Sequence, residues 1–114
     1  MIILLDKVRK MKIGEKEYSF KMTNKTIFKV DEKYGNYGSV IYGLMQGVQY
    51  YTNAVKLISC ACIEKEWNIE ELIELFTSDQ LNGDVPNFAA ELYFDYIGIE
   101  ETDKKEEDNK KEKN

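Results

Sequence analysis

Carboxylates are the side chains in this sequence whose spacing invites a chemical reading: Glu64 with Glu66, the group Glu70, Glu71 and Glu74, and Glu91 with Asp95. Two such groups can divide general-acid and general-base work when a pocket pushes their pKa values apart. The spacing here favours a plainer use. Glu70 and Glu74 stand one turn apart on the polar side of a helix whose other side is Ile69, Leu72, Ile73 and Phe76, the usual solvated arrangement. Glu91 and Asp95 repeat that pattern on the next helical segment.

Other catalytic chemistry lacks its parts. The chain has no histidine to act as a base or ligand and no Gly-x-Ser-x-Gly elbow. Cys60 and Cys62 fall in an apolar run that raises a thiol pKa, so they read as reduced, buried side chains. Two residues apart on a helix they point in different directions and cannot bridge each other. The segment "GNYGSVIYG" is glycine-rich but lacks the Lys-Ser/Thr ending of a phosphate loop. No enzyme activity, cofactor or metal is expected.

Charge narrows the partners. There are 21 acidic and 16 basic residues, net −5, and Arg9 is the lone arginine. A phosphate-binding surface needs clustered cations, whereas these lysines alternate with carboxylates, so neither nucleic acid nor a membrane surface is expected as partner. The opening "MIILL" is too short to span a bilayer, which takes about 20 residues in a helix. Its charge order is also reversed relative to a signal peptide. The expected location is the cytoplasm.

The elements that carry these residues follow from periodicity. Tyr18, Phe20 and Met22 alternate with Glu17, Ser19 and Lys21, and Gly14 provides a turn, which predicts an antiparallel hairpin over about residues 8–22. Helices are predicted over about 25–34, 39–47, 53–66, 69–78 and 86–97. The first buries Ile27, Val30 and Tyr34, widened by Phe28; the region of the second carries four glycines, Gly35, Gly38, Gly43 and Gly47, each costing about 1 kcal/mol if inside a helix. The third is the most apolar, through Ala54, Val55, Leu57, Ile58, Ala61 and Cys62, and is the expected centre of the core. Asn68 and Glu71 have the spacing of a capping box that opens the fourth. The fold class is therefore mainly α (α+β): an N-terminal β-hairpin packed on a small bundle of four to five helices, one globular domain over residues 1–98. From Glu100 to Asn114 nearly every residue is charged and none is aliphatic or aromatic, so residues 99–114 are expected to form a disordered tail.

Eight tyrosines and five phenylalanines are many for 114 residues, and Tyr34, Tyr37, Tyr42, Tyr50 and Tyr51 gather mid-chain around Met45. Tyrosine brings large contact area at low side-chain entropy cost, so these six residues are the candidate partner-binding surface. The plainer alternative is a small core that uses tyrosine at its wet rim.

Taken in order, the Gly-turn hairpin "KIGEKEYSFKMT", the helix "NKTIFKVDEKYG", a glycine-rich connection, an apolar helix and "WNIEELIELF" resemble the tail assembly chaperones of long-tailed phages and prophages, including their gene-transfer-agent relatives. The resemblance spans about Met11 to Gly98 and rests on the order and type of elements. It implies a non-enzymatic holdase in the bacterial cytoplasm, absent from the finished virion, which coats the tape measure protein and helps recruit tail tube protein. It also implies a longer form made by ribosomal frameshifting near the lysine pairs of the tail. The hairpin, marginal alone and with open strand edges, is then the expected place for self-association. The ten residues before Met11 depart from the family pattern. A small prophage or host regulator acting through one protein partner is the alternative.

Overall fold

The computed structural model describes residues 7–98, so the opening apolar residues and the charged 99–114 segment lie outside the described residues. The hairpin consists of β1 (Arg9–Ile13) and β2 (Lys16–Phe20), antiparallel, with Met11 opposite Tyr18 and Arg9 opposite Phe20. Gly14 opens its two-residue turn at φ +69°, a left-handed backbone that residues with a Cβ seldom adopt. Met11, Ile13 and Phe20 are buried on one face, while Lys10 and Lys12 face solvent. The expected alternation is therefore present, over a shorter span than 8–22.

Five α-helices follow: α1 (Asn24–Tyr34), α2 (Tyr37–Gln46), α3 (Tyr50–Ala61), α4 (Ile69–Leu75) and α5 (Val85–Ile97). A π-helical turn, Gln80–Asp84, leads directly into α5. The mainly α fold with an N-terminal hairpin is thus the one the pattern predicts. The boundaries move where side chains take over from periodicity. α2 starts at Tyr37, two residues before the expected 39, because the Asn36 side chain accepts from the Ser39 N–H at 3.1 Å.

The largest shift is at the end of α3, expected at 66 and found at Ala61. Cys62 turns extended and pairs with Phe20: Lys21 N–H donates to the Ala61 carbonyl at 3.0 Å and Ile63 N–H to the Ser19 carbonyl at 2.8 Å. Strand pairing across the sheet edge there satisfies backbone groups that another helical turn would have satisfied locally. The fourth helix stops at Leu75 instead of 78, where Phe76 goes extended. Thr77 and Gln80 then exchange hydrogen bonds, Thr77 N–H to Gln80 Oε1 at 3.0 Å and Gln80 N–H to Thr77 Oγ1 at 3.1 Å. That reciprocal exchange is a capping-box pattern, written in the sequence as Thr-x-x-Gln.

One apolar cluster joins all these elements, with Phe20, Val30, Leu57, Ile58, Trp67, Leu72, Val85 and Leu92 almost wholly buried. α3 occupies its middle, as its composition predicts. Burying a side chain of the size of Leu or Ile is worth about 1.5–3 kcal/mol. Phe88 of α5 meets Phe20 edge-on at 5.3 Å, and Trp67 meets Tyr18 edge-on at 4.9 Å. The Trp67 indole N–H finds no acceptor among the described residues, so its side chain is held by ring contacts, including Lys65 Nζ at 4.0 Å from the ring centre. Phe28 and Ile73, expected inside, are exposed. Inside α1 the positions facing the core are Thr26 and Val30, and inside α4 the position is Leu72, which leaves Phe28 and Ile73 on the outer faces.

Candidate functional site

Five of the carboxylates singled out by spacing, Glu64, Glu66, Glu71, Glu91 and Asp95, are engaged with a neighbour. Arg9 grips Asp95 with two bonds, Nε to Oδ2 at 2.6 Å and Nη2 to Oδ1 at 3.1 Å, and reaches Glu91 Oε1 at 3.2 Å. This fork ties β1 to α5. Glu66 lies 3.6 Å from Lys29 and 4.0 Å from Lys33. Glu71 accepts from the Asn68 N–H at 3.2 Å, completing the expected capping box, and pairs with Lys65 at 3.6 Å. Glu64 accepts from the Ser19 N–H at 2.8 Å, and that bond holds its carboxyl below the ordinary value. Cys60 and Cys62 are both buried and unbridged, and burial pushes the Cys60 thiol up. Among the described residues no three His, Cys, Asp or Glu side chains gather to hold a metal ion. No helix among them is long and apolar enough to cross a membrane.

The six candidate partner-binding residues divide into two sets. Tyr34, Tyr37 and Tyr50 are partly buried and pack against the core. Tyr34 shares a 2.7 Å hydrogen bond with the Ser59 hydroxyl, and burial raises its phenol pKa. Burial, with Tyr93 and Tyr96 alongside, pushes the Tyr37 phenol up to about 12. These three do what the plainer reading of tyrosine assigns them. Tyr42, Met45 and Tyr51 stand out, at 64%, 37% and 44% exposed, with Val48 between them in sequence at 52%. Sequence reasoning passed over Val48, whose apolar side chain sits in the connection between α2 and α3.

The α2–α3 pair is built to present this surface. Asn53, 5% exposed, donates through Nδ2 to the Val48 carbonyl at 2.8 Å, which fixes the turn between the helices. A Cβ on Gly43 would stand 2.0 Å from Asn53 Nδ2 and 2.5 Å from the Val48 carbonyl oxygen, so only glycine lets α2 approach this closely. Above them is an open depression of about 610 Å³ lined by Tyr34, Asn36, Tyr42, Val48, Gln49 and Lys56, among others. Lys56 is its one charged lining residue, and its ammonium lies 5.5 Å from the centre of the Tyr34 ring. Between Lys33 and Lys56 the sequence contains no Asp, Glu, Lys or Arg, in a chain that is 32% charged as a whole. That gap in the charge pattern is the signal by which the whole face, Val48 included, is legible from sequence.

Comparison with family models, with curated proteins and with solved structures finds no match for this chain.

The hairpin edges differ from each other. The outer edge of β2 is taken within the chain by Ala61 and Ile63, with Glu64 on the Ser19 N–H. On β1 the Lys12 carbonyl accepts from Gln80 Nε2 at 2.6 Å. Lys10 and Lys12 of β1 are exposed, a charge pattern that discourages edge pairing.

Proposed function

We propose that this protein works by binding other proteins, as a cytoplasmic tail assembly chaperone of a long-tailed phage or prophage that holds the tape measure protein and helps recruit tail tube subunits. The observation that supports the reading is the stretch from Tyr34 to Val55 across α2 and the start of α3, which has no charged side chain and exposes Tyr42, Met45, Val48 and Tyr51 around an open depression. A holdase for a long helical client needs an apolar surface that accepts many amphipathic segments with little sequence selectivity. Methionine and tyrosine suit it, because a flexible thioether and a rigid ring with a polar tip adapt to varied contacts. The ordered order of elements from hairpin to α4 supports the choice of family.

The test is affinity purification of the tagged protein from its host after prophage induction, with co-purifying chains identified by mass and peptide sequencing. A very long, mainly helical phage protein carrying several copies of this chain is the expected result. Recovery of one globular partner at equal stoichiometry would overturn it and put the regulator reading in its place.

A further inference from the structure

The α2–α3 face carries a protrusion beside a hollow. Tyr42 borders the depression of about 610 Å³ and is itself 64% exposed, so one ring both walls the hollow and projects from it. A surface that holds a knob next to a hole of matching character is self-complementary under a two-fold axis, because residue i of each copy meets residue j of the other.

Charge selects the same occupant. Two copies of a chain with net charge −5 repel wherever their charged surfaces meet. The stretch from Tyr34 to Val55 has no carboxylate, lysine or arginine. Copies can meet there without placing like charges together, and interface centres are depleted in charge and enriched in Tyr and Met. The one nearby cation, Lys56, lies over the Tyr34 ring and is partly buried, so it does not stand in the way as a free charge.

From these observations we infer that two copies of this chain pair through the α2–α3 face about a two-fold axis, each Tyr42 seated in its partner's depression. The inference rests on the reading of this face as a protein-binding surface and identifies its partner in the absence of client. Pairing then covers Val48 and Tyr42 until an amphipathic segment competes for the same hollow.

The deciding measurement is molecular mass by sedimentation over a concentration series for the full chain, for Tyr42→Lys, and for Phe28→Lys as control. Phe28 is 71% exposed on α1 among Lys25, Lys29 and Glu32, outside the charge-free face. A reversible dimer is expected, weakened about 30-fold or more by Tyr42→Lys, as for a central aromatic anchor, and unchanged by Phe28→Lys. Circular dichroism identical to the parent chain shows that both variants fold. A parent chain that stays monomeric up to about 1 mM, which corresponds to a binding energy of only about −4 kcal/mol, overturns the pairing. Equal weakening by the two variants overturns it as well. Adding the tape measure protein as probe separates the two readings: a monomeric chain that still binds it refutes pairing alone, whereas a dimer that never binds it refutes the chaperone function alone.

Discussion

Around β1, α1 and α5, segments far apart in sequence are joined by charge: Arg9 forks onto Asp95, Glu64 takes a strand N–H, and Lys29 and Lys33 flank Glu66. Across α2 and the first half of α3, from Tyr34 to Val55, no charged side chain is present, and the helices are held by a glycine pressed against a buried asparagine. The first region spends its polar side chains on holding the fold together. The second achieves close packing with small and neutral residues, which leaves its large side chains free to face outward. A surface that must meet other proteins gains from the second method, since no fixed charge has to be desolvated on contact.

If that contrast is right, the uncharged region should tolerate the least change at its centre. Gly43→Ala places a methyl group on Asn53 and the Val48 carbonyl, and it is expected to lower stability by about 3 kcal/mol in urea unfolding, the upper range for overpacking. A loss below about 1 kcal/mol would mean that the helices separate readily and that the face is not rigid. In the charged region, Asp95→Asn keeps the shape and removes the carboxylate under Arg9. With Asp95 only 16% exposed, the expected loss is about 2 kcal/mol, with no change in oligomeric state. Weaker pairing of copies in that variant would show that the two regions are not independent.

The smallest effect belongs to Glu64, which is fully exposed. Its hydrogen bond to the Ser19 N–H lowers the folded-state pKa from the ordinary 4.5, so the stabilisation is complete above 4.5 and disappears as pH falls through the lowered value. Thermal unfolding of the parent chain and of Glu64→Gln should therefore differ slightly at neutral pH and converge in acid. Curves that separate further as pH falls would exclude a role for the carboxylate at the β2 edge.

Much of the fold is legible in periodicity and capping residues. The Gly14 turn, the alternation of β2, the apolar centre of α3 and the Asn68–Glu71 box are all local signals, each contained within about one element, and each is found where expected. The errors have a common origin. α3 ends at Ala61 because β2 offers backbone partners to the residues that follow, and β2 lies some forty residues away in sequence. Three of the six candidate surface residues, Tyr34, Tyr37 and Tyr50, lean on the core for a similar reason: a tyrosine's type suits the core rim and an interface equally, and for Tyr34 and Tyr37 the neighbours Ser59, Tyr93 and Tyr96 come from distant segments.

By itself, then, the sequence determined which segments are helix and strand, where the charges are and where they are absent, because those properties depend on neighbours within a few residues. Only the tertiary structure decided that Arg9 faces Asp95, that Gly43 faces Asn53, and that Tyr42, Met45, Val48 and Tyr51 remain outside. Each of those outcomes depends on two elements meeting at a particular distance and rotation, and the packing of the whole core sets both.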